Sequence, residues 1–252
     1  MILNKKVFDR LPDAVLFDTD NTLYNYLPAH KVAINEVLNK AFKIFAISKV
    51  DFNNALFEAK KEIKDRLGNT ASSHNRLLYF QVTLEKLGLN SQIMFALDLE
   101  QTYWRTFLNA SSLFPNVKEL LGDLRKLEIP TAIVTDLTAQ IQFRKIVYFE
   151  LDKLFDYIVT SEESGYDKPN PSSFKLAIKK MQPKGSKIWM IGDNYITDIK
   201  GSRDAIDAIA IQKKHKGVII ESKKHKPDCI FENYSELRSL INKISTTSIK
   251  VN

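Results

Sequence analysis

The chain of 252 residues contains one cysteine, Cys229, and four histidines, with no paired Cys/His spacing. An internal disulfide framework is thereby excluded and zinc has no ligand pattern, so a reducing compartment, the cytoplasm, is expected. Eighteen apolar residues never run together, and the early lysines of "MILNKKVFDRLPDAVLF" have no long apolar stretch behind them. Neither a membrane span nor an export signal is expected. Repeats and low-complexity tracts are also missing, and only the closing "STTSIKVN" reads as a loose tail. Charge is mixed, with 37 Lys+Arg against 30 Asp+Glu. The clusters "KKHK" at 213–216 and 223–226 lack the interleaved aromatic side chains that stacking on bases requires. They read as solvated surface, so no nucleic-acid or membrane partner is expected; His30, His215 and His225 carry no signal.

Two textures are present. Residues 13–18, 130–136, 157–161, 187–193, 208–212 and 228–231 are short β-branched or aromatic runs bounded by Asp, Gly, Pro or Ser, which predicts strands. From residue 116 on, segments with helical spacing lie between them: "NVKELLGDLRKL", "TAQIQFRKIVYF", "PSSFKLAIKKM", "TDIKGSRDAI" and "SELRSLINKI". This alternation predicts an α/β core, a Rossmann-like parallel sheet with helices on both faces. Residues 28–111 break it, because only helical patterns occur there. Four helices are predicted, with Ser48, Ser72 or Ser73, and Ser91 at N-caps and Gly68 and Gly88 at helix ends. The prediction is a core of 1–24 and 112–252 with a helical bundle, 25–111, inserted after the first strand. Linkers are expected near Asn25 to Pro28 and Ser111 to Pro115.

Ligands of an open parallel sheet gather outside the carboxyl ends of the strands, where strand order reverses. In this chain those ends carry Asp18-Thr19-Asp20-Asn21-Thr22, Thr135-Asp136, and Gly192-Asp193-Asn194 with Asp198, while Lys168 follows the third strand in "GYDKPNP". Carboxylates packed in one crevice repel one another at low effective dielectric, so a positive ligand is required. Oxygen donors at the strand ends point to a hard divalent cation, and a few carboxylates with water and a phosphate suit magnesium. One carboxylate can then accept a phosphoryl group while a neighbour delivers a proton.

A lone D-x-D-x-T arises by chance in roughly a few percent of chains this long. Here it is followed in order by Thr135, Lys168 and the G-D-x-x-x-x-D of Gly192 to Asp198, each at the end of a predicted strand. In this combination the chain resembles the haloacid dehalogenase-like hydrolase superfamily. The resemblance implies that Asp18 is the nucleophile and Asp20 the general acid/base. Magnesium would be held by Asp18, the backbone carbonyl of Asp20 and Asp193, with Asp198 binding directly or through water. Phosphate would be held by Thr135, Asp136 and Lys168, with Thr22 orienting the loop and residues 25–111 forming the family's helical cap. Finer matches over 135–201, including Gln142 and "SEESGYDKP", resemble the N-acylneuraminate-9-phosphatase and pyrimidine nucleotidase subgroup. Asp136 stands where that subgroup has Asn, and its charge would repel phosphate unless the side chain turns away. Ile206 stands where Gly is frequent.

The implied activity is magnesium-dependent hydrolysis of a small phosphomonoester (a sugar phosphate, a sugar-acid phosphate or a nucleotide) by a monomer or homodimer. Asp20 argues against a dehalogenase, which lacks the second acid. A phosphomutase remains an alternative, as does a non-catalytic binding protein of this fold. Several residues have plain readings too: Thr135 as a helix cap, Asp198 as a helix N-terminal charge, Lys168 as surface, and Asn194 undecided. In the helical insertion, His74, Asn75 and Arg76 either cap and coat a helix or meet a second anionic end of the substrate. Tyr24 and Tyr26 either line an entrance or pack in the core, and Trp104 reads as bundle core.

Overall fold

The computed structural model describes residues 1–215, 217–220 and 226–249, except the side chains of 247–249. Lys216, most of the second lysine cluster with His225, and residues 250–252 lie outside the described residues. The chain divides into two compact units, Asn25–Ser112 and Met1–Tyr24 with the described part of Leu113–Asn252.

The larger unit is built on a seven-stranded sheet of order β1-β7-β6-β5-β2-β3-β4. Its strands are β1 (Ile2–Leu3), β2 (Ala14–Phe17), β3 (Thr131–Thr135), β4 (Tyr157–Thr160), β5 (Ile188–Gly192), β6 (Ile209–Lys213) and β7 (Cys229–Phe231). All six predicted strands occur. The seventh, β1, pairs antiparallel with β7 at the edge, whereas every other pairing is parallel. Along their whole length β2, β3 and β5 are buried. Burial on both faces is the reason they read as unbroken apolar runs rather than alternating ones. In the middle of the sheet β2 takes β3 on one side, Val15 opposite Thr131, and β5 on the other, Val15 opposite Trp189. The chain therefore proceeds outward through β3 and β4 and then returns to β5, so strand order reverses beside β2. The Asp18 N–H extends the ladder one residue further, donating to Ile191 O at 2.9 Å.

The helical unit consists of α1 (Tyr26–Phe45), α2 (Lys49–Leu67), α3 (Arg76–Lys86) and α4 (Ile93–Asn109). Helix α1 starts inside the segment expected to be a linker, because Pro28 falls in the first turn, where a missing N–H leaves nothing unpaired. Ser48 caps α2 as predicted, accepting from Asp51 N–H at 3.1 Å, and Gly68 ends it at φ 62. Neither Ser72 nor Ser73 caps α3. Both belong to a 3-10 turn, Ala71–His74, and Asn75 is the cap, accepting from Leu77 N–H at 2.9 Å. Nor does Ser91 cap α4, which starts after Gln92 without a side-chain cap bond. Trp104 is buried in the bundle. Among the described residues no helix is long and apolar enough to cross a membrane.

Among the described residues, six α-helices accompany the sheet: α5 (Val117–Lys126), α6 (Ala139–Tyr148), α7 (Ser161–Ser164), α8 (Pro171–Met181), α9 (Gly201–Ile206) and α10 (Tyr234–Ile249). Helix α5 buries Val117, Leu120, Leu121 and Leu124, one stripe at helical spacing. At the start of α8, Asn170 caps Ser172 N–H at 3.0 Å and Pro171 fills the first position. Phe174 and Ala177 of α8 then pack in the core with Leu16, Val134 and Met190 of the sheet. The segment 197–206 is not one helix: a π-helical turn, Tyr195–Lys200, runs into α9. Helix α10 extends to Ile249, so the tail expected to be loose from 245 is helical to that point. Its buried face of Tyr234, Leu237, Ile241 and Ile244 supplies packing that outweighs the low helix propensity of Ser and Thr.

Candidate active site

The D-x-D-x-T segment leaves the end of β2 and folds back on itself. Asp18 is buried, and each of its oxygens is held: Oδ1 accepts from Lys168 Nζ at 2.7 Å and Oδ2 from Thr22 Oγ1 at 2.8 Å. Thr22 therefore orients the carboxylate as well as the loop. Its own carbonyl accepts from the buried Tyr234 hydroxyl at 2.7 Å, which ties α10 to this turn. Asn21, at φ 63, adopts the left-handed conformation that Asn tolerates and the turn requires.

From β5 come Asp193 and Asp198. Asp198 Oδ1 accepts from the same Lys168 ammonium at 2.7 Å, and Oδ2 from Asn194 N–H at 3.0 Å. Asn194, undecided in the sequence, caps the π-helical turn through Ile196 and Thr197 N–H groups at 2.9 and 3.1 Å. Asp193 is anchored through its carbonyl, which accepts from Gln212 Nε2 at 2.8 Å. A Cβ on Gly192 would lie 2.5 Å from Asp198 Oδ2, so glycine is what lets that carboxylate approach β5. Gly192→Ala is expected to cost about 1–3 kcal/mol, read as a lower urea midpoint, because backbone and carboxylate cannot both keep their places.

Among the described residues, oxygens of Asp18, Asp193 and Asp198 all lie within 4.8 Å of one another, a group that could hold a metal ion. The electrostatics of these residues suit a cation ligand. Burial, opposed by Lys168 and reinforced by Asp198 and Asp20, raises Asp18 to about 6. Burial together with Asp18 and Asp198 raises Asp193 to about 8. Lys168 is buried, which alone disfavours its charge, but Asp18, Asp198 and Asp136 push its pKa well above the ordinary lysine value. One ammonium thus serves a cluster with surplus negative charge, and oxygen donors of this kind fit a hard divalent cation.

The other predicted residues are also placed at this end of the sheet. Thr135 ends β3 with its hydroxyl 2.7 Å from that of Thr19. Asp136 does turn its carboxylate away, accepting from Lys168 N–H at 2.8 Å, and its carbonyl accepts from Gln142 Nε2 at 2.7 Å. Next to it, Leu137 is held at φ 94, where a bulky side chain is strained, with its N–H donating to Ser161 Oγ at 2.9 Å. Asp20 pairs with a residue that local sequence pattern does not single out: Lys145 of α6, buried, lies with Nζ 2.8 and 3.1 Å from the two carboxylate oxygens. The Tyr24 hydroxyl donates to the same carboxylate, and its ring packs on Phe149. In the folded helix Lys145 shares the buried face of α6 with Ile141, Gln142 and Ile146.

A family model described as haloacid dehalogenase-like hydrolase matches residues 12–205. The chain is 35% identical over 190 residues to a ribulose-1,5-bisphosphate 5-phosphatase of Halopiger xanaduensis, covering 75% of this chain and 80% of the relative. It is 28% identical over 192 residues to a glyceraldehyde 3-phosphate phosphatase of Methanopyrus kandleri, covering 76% and 80%. These two relatives are named for sugar phosphates, not for the acylneuraminate and pyrimidine-nucleotide phosphatases that the 135–201 motifs resemble. A haloacid dehalogenase-family phosphatase of Thermococcus onnurineus shares the fold, with a TM-score of 0.69 at 22% identity over 90% of this chain and 97% of that one. With four motifs folded onto adjoining strand ends and the family model spanning most of the chain, the protein is a hydrolase of the haloacid dehalogenase-like family.

Proposed function

We propose that the protein is a magnesium-dependent phosphatase that hydrolyses a small sugar phosphate through an aspartyl-phosphate on Asp18. The observation that carries this reading is the Lys168 ammonium, 2.7 Å from both Asp18 and Asp198, inside a three-carboxylate cluster at the reversal point of the sheet. The sugar-phosphate names of the two relatives support the substrate class.

Asp18, Asp193, Asp198 and the carbonyl of Asp20 would hold magnesium, which when bound supplies positive charge to the phosphate oxygens. Thr135 and Lys168 bind the phosphate, and Asp136 contributes through its backbone. Asp18 attacks phosphorus, the ester P–O bond breaks, and the departing oxygen takes the proton of Asp20. Water then attacks phosphorus and gives its proton to Asp20, the bond to Asp18 breaks, and orthophosphate leaves. The helical unit acts as the cap that selects the substrate.

The test is phosphate release from sugar monophosphates and an aryl phosphate. EDTA is expected to abolish it and added magnesium to restore it; activity undiminished by EDTA, or an isomer in place of free phosphate, overturns the proposal. Lys145→Met is expected to lower kcat about 10- to 100-fold with little change in KM, because Asp20 loses the group that fixes its position. A change confined to KM would remove Lys145 from that role.

A further inference from the structure

Of the segment "SEESGYDKP", residues 161–169, the proposed reaction uses only Lys168. Its first two residues, Ser161 and Glu162, follow β4 directly and open α7. Ser161 is buried, and its Oγ meets Leu137 twice, accepting from the N–H at 2.9 Å and donating to the carbonyl at 3.4 Å. Those two groups lie in the two peptide planes that join at the Leu137 Cα. One side-chain oxygen touching both restricts the rotation between the planes, the rotation that places Leu137 at φ 94. A leucine at that angle is strained, and such a conformation persists only where its surroundings over-determine it.

The surroundings do so. The peptide between Asp136 and Leu137 is gripped at both edges, its N–H by Ser161 and its carbonyl by Gln142 Nε2 at 2.7 Å. Beyond Leu137, the Ala139 N–H donates to Glu162 Oε2 at 2.7 Å, at the start of α6, where Thr138 makes no side-chain cap bond. Ahead of it, the Asp136 carboxylate accepts from the Lys168 N–H at 2.8 Å. The turn therefore ties Thr135, at the end of β3, to the segment that carries Lys168, and both residues bind phosphate in the proposed reaction. A leucine released to negative φ would rotate one plane against the other and disturb that tie.

We propose that Ser161 is a positioning residue for phosphate binding: by holding both polar groups of Leu137 it keeps the 136–137 turn in the strained form in which Thr135, the Asp136 backbone and Lys168 meet one phosphate. This inference rests on the proposed function. Ser161 acts through the main chain of Leu137 and has no contact of its own with substrate, while Gln142 holds the opposite edge of the same peptide.

The experiment uses the full chain with magnesium, its Ser161→Ala and Leu137→Gly variants, and the double variant. Two quantities are measured: KM for a sugar monophosphate, and affinity for inorganic phosphate from the rise in melting temperature that phosphate produces. Ser161→Ala is expected to raise KM and to weaken phosphate binding about tenfold, because the leucine relaxes and the turn shifts. Glycine adopts positive φ without strain. In the Leu137→Gly background the same Ser161→Ala change should therefore cost no more than about twofold, a coupling that a serine of purely structural value would not show. Leu137 is buried, so its removal lowers stability, but both members of that comparison carry the loss. Unchanged phosphate affinity in Ser161→Ala, or equal losses in the two backgrounds, overturns the proposal. Should Ser161→Ala not fold, Ser161→Cys, similar in shape with a weaker acceptor, replaces it in the same comparison. Should the wild type release no phosphate from the sugar ester, the phosphatase reading fails while the phosphate-dependent melts still decide the role of Ser161. A wild type that neither turns over the ester nor is stabilised by phosphate overturns both.

Discussion

Asp18→Asn is expected to reduce phosphate release at least about a thousandfold, because an amide cannot form the acyl-phosphate and nothing else at the strand end takes its place. The substitution keeps the size and shape of the side chain, and its carbonyl oxygen can still accept from Thr22 or Lys168, which now sit 2.8 and 2.7 Å from Asp18. It also removes one charge from a cluster that already raises Asp18 to about 6 and Asp193 to about 8. Melting temperature should therefore hold or rise while activity collapses. The measurement is turnover of an aryl phosphate together with a thermal melt. Residual turnover above a few percent would refute the nucleophile assignment, and a cooperative melt at the wild-type temperature shows that the loss is chemical.

Lys168→Met is expected to have the larger effect on stability. Its ammonium is buried and is shared by Asp18 and Asp198. Methionine fills similar volume but leaves two buried carboxylates without their cation, and breaking a buried pair from one side costs about 3–5 kcal/mol. For a chain of this size each kcal/mol corresponds to roughly 2–4 °C in melting temperature. Magnesium should raise the melting temperature of the variant more than that of the wild type, since bound metal supplies charge the lysine no longer does. Adding Asp18→Asn to Lys168→Met should recover part of the loss, because the two residues share one interaction. Independent, additive losses would place the lysine outside the cluster's charge balance.

The site is more legible from sequence than its supports. Asp18, Thr135 and Asp193 announce themselves because strand ends in a parallel sheet are short, local and marked by polar residues after apolar runs, whereas Lys168, beyond α7, is picked out by its place among the other motifs. Lys145 does not, since a lysine beside apolar residues on a helix ordinarily extends its head into water, and only the three-dimensional position of Asp20 shows that this one does not. Arg76 is hidden for the same reason, being enclosed by Tyr26 of α1, Tyr79 of α3, and Tyr103 and Trp104 of α4. Tyr234 reaches Thr22 across 212 positions, which no local pattern encodes.

Among the elements, six strands follow from composition, but β1 spans only Ile2–Leu3 and exists because β7 offers it an edge. Two residues are too few for periodicity to register. Helix caps are ambiguous where several polar residues compete: Ser72, Ser73 and Asn75 are all chemically able, and the turn at Ala71–His74 decides for Asn75. The end of α10 runs past what its residues suggest, because "STTS" has weak intrinsic preference whereas the docked face upstream carries the helix onward.

The central position of β2 also has a consequence for biosynthesis. During synthesis the strand precedes both of its neighbours, and must wait for Thr131 and then Ile188 before either exists to pair with it. The helices of Asn25–Ser112 form a compact unit that is complete before β3 is made and can form during that wait, whereas sheet closure must bridge longer stretches of chain and is the slower event. Until then an apolar strand stands exposed on the nascent polypeptide, so chaperone demand during translation should track the delay before β5 is delivered.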